Sequence, residues 1–264
     1  MYNQIAPIPV EITAPGDTAD SEGYCRSKKN GETYVIKSAR MHPLLPASEV
    51  FCAALAEACQ IPYAGGAWIT LPDGRDAFGS RWEGGADKAF SASNVPLIGH
   101  RLTRAAIKRS WLRVTSPEVA SGIYAFDLFI FNFDRHFNNV LHQDQNGVRV
   151  IRAIDHSKAW WTVADNLSTL PPAKAMAGWP GERTISVFRD IAAWTRFDLK
   201  QALDTLTLIE RTPVTWVHNL CVQGIAPGWL PQGNIDNLLD WWASPARALR
   251  IREIEQGLRD GTLL

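Results

Sequence analysis

Three polar side chains suited to phosphate and metal chemistry lie at the ends of apolar segments in the middle of the chain. Asp134 follows an apolar run over residues 119–131, Asn139 opens a short β-type segment, and Asp155 closes a second one. An amide oxygen and a carboxylate suit a Mg²⁺ ion that keeps several waters and bridges substrate phosphates. A carboxylate in the preceding loop is placed to accept a proton from a hydroxyl nucleophile, or to orient it. The pattern therefore predicts phosphoryl transfer.

The segment between Asn139 and Asp155 is typical of a β-hairpin. If Asn146 and Gly147 are the two central turn residues, Asn139 faces residue 154, whereas a three-residue loop places it opposite Asp155. In either register we expect Asn139 and Asp155 to lie within about 5–8 Å of each other.

Phosphoryl transfer also requires a cation on the nucleotide phosphates, and Lys37 has a suitable setting. It ends the β-rich run Tyr34-Val35-Ile36-Lys37, and Glu49 follows in the opening turn of a predicted helix. A strand lysine fixed by a helix glutamate is an arrangement that phosphotransferases use. Lys37 is therefore the candidate cation and Glu49 its predicted partner.

The elements that must position these residues divide into two parts. Short β-type segments surround one helix in the first part, and a polar break at residues 83–87 predicts a boundary between residues 1–84 and 85–264. The second part is mainly helical, and Ser116-Pro117-Glu118 is a strong helix start. The run over residues 119–131 is apolar on nearly every face, which predicts a buried central helix. Thr212-Pro213 and Ser244-Pro245 predict further helix starts.

Composition excludes several other classes of protein. The 264 residues carry 27 basic and 27 acidic side chains, and this net charge of 0 argues against a protein that coats nucleic acid. The most apolar window, residues 119–131, contains Asp127 and is too short to cross a bilayer. The four cysteines are scattered and no signal peptide is visible, so we expect reduced thiols and a cytoplasmic protein.

The order of elements, with Val35-Ile36-Lys37, the Asp134-Arg-His-x-x-Asn139 run and Ile154-Asp155-His156, resembles the HipA-like kinase family over roughly residues 8–165. The central run is also similar to the catalytic loop of phosphatidylinositol kinases. The resemblance implies an α+β, two-lobed protein-kinase-like fold with a small β-rich N-lobe and a mainly helical C-lobe. It further implies ATP- and Mg²⁺-dependent phosphoryl transfer, with a Ser or Thr hydroxyl on a protein as the first expectation. A lipid or small-molecule hydroxyl is the alternative acceptor.

The resemblance also implies a role for each residue of the phosphoryl-transfer site. Lys37 would contact the nucleotide phosphates and Glu49 would orient it. Asp134 would be the catalytic base, and Asn139 and Asp155 would hold Mg²⁺.

Five further residues receive roles from the same resemblance. His136 would help to neutralise the transferred phosphoryl group. Residues 78–83 would form the hinge that binds adenine through its backbone, with Arg81, Trp82 and Glu83 as the contacting residues. Ser21 and nearby backbone amides would cover the phosphates.

Departures from the kinase pattern leave other functions open. The loop over residues 18–28 has a single glycine, Gly23, and His156 with Ser157 replaces the Phe-Gly that usually follows the metal-binding aspartate. A pseudokinase that binds nucleotide or a partner without transferring phosphate is therefore an alternative. A transition-metal hydrolase that uses the histidines and aspartates of this region, including His142, is another.

The expected partners follow from the resemblance and from the composition. The phosphate acceptor is expected to be a protein, and an antitoxin-like protein is a further expected partner. Full-length HipA-type toxins differ from this chain by an extra N-terminal subdomain. Direct nucleic-acid binding is not expected.

Overall fold

A computed structural model describes residues 7–15, 21–82, 87–88, 117–136, 139–145, 148–194 and 197–264. The described segments mix strands and helices, as the sequence predicts. Glu83 and residue 84, at the predicted boundary, lie outside the described residues, so the division of the chain there remains a prediction.

Five strands of the first part close into a barrel in the order β1-β2-β3-β5-β4. Their bounds are β1 Ile8–Pro15, β2 Gly23–Ser27, β3 Thr33–Lys37, β4 Gly66–Thr70 and β5 Asp76–Trp82. Closure comes from β1 and β4, which pair in parallel through Ile8 and Ile69, whereas the other neighbours are antiparallel. This long-range pairing leaves the barrel without an open edge. The barrel interior is filled by Val10, Cys25, Tyr34, Ile36, Ala67, Ile69, Leu71 and Ala77.

The helix α1, Leu45–Ala58, lies between barrel strands in the sequence but packs into the core of the second part. It is buried along most of its length and has proline in its first turn, where the missing amide hydrogen costs nothing. The Phe51 ring stacks on Trp160 at 5.5 Å between centroids, and its edges meet Trp161 and Trp242. Trp160, Trp161 and Trp242 thus serve as core packing around α1.

The second part is helical, with α2 at its centre. The helices are α2 Pro117–Ile130, α3 Thr184–Trp194, α4 Leu199–Arg211, α5 Val214–Asn219, α6 Gln232–Ala243 and α7 Pro245–Asp260. Helix α2 begins at Pro117, as predicted, and is buried from Ala120 to Ile130. An all-round apolar helix requires this position, because every face needs a packing partner.

The two predicted proline starts have different outcomes. Ser244 caps α7, because its Oγ accepts a hydrogen bond from Ala246 N at 3.2 Å, and Pro245 is the first helical residue. Helix α5 begins at Val214, so Pro213 precedes the helix instead of occupying its first position.

A small antiparallel sheet carries the predicted hairpin. Its strands are β6 Asp87–Lys88, β7 Val140–Gln145 and β8 Val148–Ala153, in the order β6-β7-β8. Val140 pairs with Ala153 and Gln145 pairs with Val148, which is the first of the two registers considered above. Asn139 accordingly faces Ile154, and Ile154 N donates to Asn139 O at 3.1 Å. Asn146 and Gly147 themselves lie outside the described residues.

The cysteines and the helices can be compared with the predictions drawn from composition. The four cysteines, Cys25, Cys52, Cys59 and Cys221, are buried free thiols. In the described part of the chain, no helix combines the length and the apolar character needed to span a bilayer.

Candidate active site

A buried arginine anchors the predicted catalytic loop. The side chains of Arg135 and Asp127 are both 0% exposed, and the guanidinium meets the carboxylate twice, with Nε–Oδ2 at 2.8 Å and Nη2–Oδ1 at 2.9 Å. Burial alone would lower the pKa of Arg135, but the charge of Asp127 outweighs it and raises the pKa. Arg135 Nη1 also donates to the carbonyl oxygens of Asn139, at 2.8 Å, and Ile154. One guanidinium therefore fixes α2, the loop and both ends of the hairpin relative to one another.

The start of α3 holds the same loop from the other side. Thr184 Oγ1 donates to Asn132 O at 2.5 Å and accepts from Arg135 N at 2.8 Å. Arg183 N and Thr184 N both point at Phe133 O, at 2.7 and 3.3 Å. The sequence gives no local signal for these contacts, because they join segments that lie far apart along the chain.

The carboxylate of Asp134 lies in this loop and is partly accessible. Its side chain is 22% exposed, and its backbone N donates to Asn132 Oδ1 at 3.4 Å. Arg183 Nε lies 3.4 Å from Asp134 Oδ1, on a side chain that is 60% exposed. The predicted base is therefore held by its backbone while its carboxylate faces a cation at the surface.

Asn139 connects the predicted base to the predicted metal site. Its Nδ2 donates to Asp134 O at 2.9 Å, and the residue is 8% exposed. A carbonyl oxygen can only accept, so the amide nitrogen must face Asp134 and Oδ1 must point the other way. Asn139 thus supports the loop with one atom and presents an oxygen ligand with the other.

Lys37, at the end of β3, forms an ion pair with Asp155. Lys37 Nζ lies 2.9 Å from Asp155 Oδ1, and the two side chains are 2% and 25% exposed. Burial alone would raise the pKa of Asp155, but the charge of Lys37 and hydrogen bonds from Ser157 outweigh it and hold the pKa well below its usual range. The Asp155 carboxylate is therefore ionised at neutral pH.

The backbone at Asp155 is in a sparsely populated conformation. Its φ is 63°, in the left-handed region, which aspartate tolerates better than most residues. Ser157 N donates to Asp155 Oδ1 at 3.2 Å and steadies this turn. Such strain is typical of residues held in place at functional sites.

Glu49 has a different role from the predicted one. The sequence predicts that it orients Lys37, but its Oε1 accepts from His156 N at 3.1 Å and its Oε2 lies 3.8 Å from His156 Nδ1. Glu49 and His156 are both 0% exposed. Because a buried ammonium needs a carboxylate partner, Asp155 takes that place for Lys37 and Glu49 supports the residue after Asp155.

The hydroxyl of Ser21, which was predicted to cover the phosphates, is used in a turn. Ser21 Oγ accepts from Gly23 N at 3.1 Å and donates to Gly23 O at 3.3 Å, and Ser21 is 7% exposed. Gly23 has a φ of 135°, a conformation that favours glycine. Residues 16–20 of the same loop lie outside the described residues.

The predicted hinge coincides with β5 and its C-terminal end. Strand β5 pairs with β3 as far as Trp82 and with β4 as far as Ser80. Arg81 N then donates to Gly65 O at 3.1 Å, so adenine would have to bind beyond that amide. Arg81 Nη2 pairs with Glu32 Oε1 at 3.0 Å, and Trp82 packs edge-on against Tyr24. Arg81 and Trp82 are therefore the last two residues of β5, at the predicted hinge.

The structure gives little information about two predicted site residues, Glu83 and His136. Glu83, the last hinge residue, lies outside the described residues. His136 is partly exposed, and its carbonyl oxygen accepts from Asn139 N at 2.9 Å. The proposed contact of the His136 ring with a phosphoryl group remains a prediction.

The oxygen atoms of Asn139 and Asp155 fit a hard divalent cation. The Asp155 carboxylate is ionised and a quarter exposed, and Asn139 Oδ1 points away from the loop that its amide nitrogen supports. Two protein oxygens leave room for the waters and phosphate oxygens that Mg²⁺ prefers. Among the side chains that the structure describes, no group of three or more His, Cys, Asp and Glu residues could hold a metal ion.

Comparison with known proteins concerns the fold and the family of the chain. Thirty-three chains of solved structures match the chain. One of them is the crystal structure of the Helicobacter pylori proinflammatory kinase CtkA, with a TM-score of 0.59 and 12% identity over 97% of this chain and 99% of that chain. At this identity the similarity concerns the fold, and no curated protein sequence matches. The HipA-like kinase family matches residues 10–170, which is more than half of the sequence, and the chain therefore belongs to the HipA-like kinase family.

Proposed function

We propose that this chain is a two-lobed protein-kinase-like enzyme that transfers the γ-phosphoryl group of ATP, with Mg²⁺, to a Ser or Thr hydroxyl of a protein. Membership of a kinase family supports the reaction class. The observation that carries the proposal is the ion pair of Lys37 with Asp155, 2.9 Å long, next to the Asn139–Asp134 hydrogen bond of 2.9 Å. A cation for phosphates, two metal ligands and a base thus belong to one connected group.

The geometry suggests which role each of these residues has in the reaction. Asp134 accepts the proton of the acceptor hydroxyl while the hydroxyl oxygen bonds to the γ-phosphorus, and the bond to the β-phosphate oxygen breaks with its electron pair remaining on ADP. Lys37 faces the phosphates from the barrel and balances their charge. Asn139 and Asp155 would hold Mg²⁺, which neutralises phosphate charge when it is bound.

A pseudokinase is the second candidate, and one observation favours it. The Ser21 hydroxyl is occupied by Gly23, and the loop has one glycine where kinases use several to cover the phosphates. A protein with this feature would bind nucleotide or a partner through the same site and transfer no phosphate.

Three further expectations, on the partner, on nucleic-acid binding and on location, are part of the proposal. An antitoxin-like partner protein rests on the family resemblance. The absence of direct nucleic-acid binding rests on the net charge of 0. A cytoplasmic location rests on the four buried free cysteines.

The decisive experiment compares wild type with Asp134→Asn, and with Asp204→Asn as a surface control. Asp204 is 49% exposed and pairs with Lys200 one helical turn away. Calorimetric titration would give the ATP–Mg²⁺ dissociation constant, and radiolabelled ATP would report transfer to generic protein acceptors and to phosphatidylinositol vesicles. We expect Asp134→Asn to reduce turnover by about 10²–10⁴-fold while its ATP affinity stays within about twofold.

Each outcome separates the candidates. Nucleotide binding without transfer by wild type would favour the pseudokinase. Label in the vesicles and none in protein would make the acceptor a lipid. Equal turnover in Asp134→Asn and wild type would remove Asp134 from its catalytic role, and wild type that binds no nucleotide would overturn the proposed function.

A further inference from the structure

Arg183 is an exposed cation held next to the proposed base. Its Nε lies 3.4 Å from Asp134 Oδ1, although the side chain is 60% exposed. The sequence patterns that identified Lys37 and Asp134 give no indication of Arg183, because it follows a loop and precedes α3.

The backbone that carries Arg183 is fixed to the catalytic loop. Arg183 N donates to Phe133 O at 2.7 Å, and Thr184 Oγ1 joins Asn132 O to Arg135 N. The placement of Arg183 is therefore determined by its backbone and its neighbour. Its own side chain contributes little to that placement, because the contact with Asp134 is exposed and screened by solvent.

The transferred phosphoryl group must come close to this guanidinium. An acceptor hydroxyl that is hydrogen-bonded to Asp134 lies about 2.6–3.2 Å from the carboxylate. The attacked phosphorus lies about 3–3.5 Å beyond the hydroxyl, so its oxygens fall within about 6 Å of Asp134. A guanidinium already beside Asp134 can reach that position by side-chain rotation, and its planar fork of N–H donors matches phosphate oxygens.

We propose that Arg183 is a catalytic residue that binds the γ-phosphoryl oxygens of ATP and stabilises the charge on them as the group moves to the acceptor. The inference rests on the proposed function and adds Arg183 to Lys37 as a cation for the phosphates. Arg183 transfers no proton. It leaves Asp134 for the phosphoryl oxygens when nucleotide binds, and the carboxylate then receives the acceptor hydroxyl.

The test uses binding as well as turnover, so that it does not depend on the acceptor. Calorimetry would compare ADP with a non-hydrolysable ATP analogue, both with Mg²⁺, on wild type, Arg183→Gln and Arg183→Lys. Arg189→Gln is the matched control, since Arg189 is also exposed and lies on α3. Hydrolysis of ATP in the absence of any protein acceptor would be measured on the same four proteins and on Arg183→Gly, the last with and without millimolar guanidinium.

In Arg183→Gln we expect the preference for the triphosphate analogue over ADP to fall at least about fivefold. Hydrolysis should slow by about 10²-fold. Arg183→Lys should recover part of both, and millimolar guanidinium should partly restore hydrolysis in Arg183→Gly. A purely structural role would not produce this rescue. Arg189→Gln should match wild type, and thermal unfolding should be the same in all variants.

Three results would overturn the inference in distinguishable ways. An unchanged triphosphate preference and unchanged hydrolysis in Arg183→Gln, with an active wild type, would reject Arg183 and leave the proposed function intact. Unchanged hydrolysis together with a lost triphosphate preference would show that Arg183 binds the nucleotide without stabilising the transferred group, which would reject its catalytic role. Wild type that binds neither nucleotide would reject the proposed function, and the inference with it.

Discussion

Lys37 Nζ lies 2.9 Å from Asp155 Oδ1, and this ion pair joins the last residue of β3 in the barrel to the turn that follows β8. Lys37 is almost fully buried, at 2% exposure, and Asp155 is a partner that stabilises its charge. The same carboxylate is a proposed ligand of Mg²⁺. Under that proposal the lysine and the metal ion would share Asp155.

Replacing Lys37 by methionine should change metal and nucleotide binding in opposite directions. Without the ammonium, Asp155 has one cation fewer beside it, so we expect Mn²⁺ to bind more tightly in the absence of nucleotide. ATP should bind more weakly, because its phosphates lose a positive charge. Electron paramagnetic resonance would measure free Mn²⁺ and calorimetry would measure ATP binding. Lys200→Met, at a site 86% exposed, is the control, and an unchanged Mn²⁺ affinity in Lys37→Met would contradict the shared role of Asp155.

The low pKa of Asp155 predicts how its contribution to stability varies with pH. A carboxyl group whose pKa is depressed by folding stabilises the folded state above its unfolded value of about 4, and this contribution is lost as the pH falls toward the folded pKa. The difference in unfolding free energy between wild type and Asp155→Asn should therefore be larger at pH 7 than at pH 3. The change cannot exceed about 1.4 kcal/mol per pH unit. Urea unfolding at both pH values tests this, and a constant difference would show that the Asp155 pKa is not depressed.

The buried pair of Arg135 and Asp127 should matter far more to stability than a surface pair. Arg135→Met leaves the fully buried Asp127 carboxylate without its partner, so we expect a loss of about 3–5 kcal/mol in unfolding free energy. Arg75→Met, which breaks the partly exposed pairs with Glu22 and Asp73, should cost about 1 kcal/mol or less per pair. Chemical denaturation would measure both variants. Losses of similar size would show that the two pairs are equally solvated.

Two substitutions at Asn139 should separate its two contacts. Asn139→Asp keeps an oxygen ligand but cannot donate to Asp134 O, so metal affinity should be retained while turnover falls by at least about tenfold. Asn139→Ala should lose both metal affinity and turnover. Mn²⁺ binding and ATP turnover would be measured on both variants. Full turnover in Asn139→Asp would mean that the hydrogen bond to Asp134 has no part in positioning the loop.

The cysteines should be unreactive in the native protein. Burial raises the pKa of the Cys25, Cys59 and Cys221 thiols to about 12, so at pH 8 about one thiol in 10⁴ is ionised at each site. Mass spectrometry after treatment with iodoacetamide should find little modification in buffer and all four thiols modified in denaturant. Rapid labelling in buffer would show that these sites open readily.

Local patterns brought the candidate residues together, because Asp134, Asn139 and Asp155 lie in one stretch of sequence. The turn signal within that stretch left two hairpin registers open, and the structure shows the first of them. The buried helix α2 also carries a signal for a tertiary contact. Asp127 is an acidic residue in an otherwise apolar run, and a buried charge requires a partner, which proves to be Arg135.

Contacts between distant segments were not predictable in the same way. The partner of Lys37 depends on how β3 and α1 both approach the turn after β8, so proximity in sequence favoured Glu49 whereas the fold favours Asp155. Closure of the barrel through Ile8 and Ile69 has no local signal either. Arg183 is in the same category, since α3 brings it to Asp134 through tertiary packing.

The aromatic packing of α1 limits how this enzyme could be switched. Phe51 is enclosed by Trp160, Trp161 and Trp242, so swinging α1 outward would expose four large rings to water. Glu49 therefore stays with the helical part of the molecule, whereas Lys37 belongs to the barrel, whose interior is a separate apolar cluster. Separating the barrel from the turn after β8 would instead break the ion pair of Lys37 with Asp155.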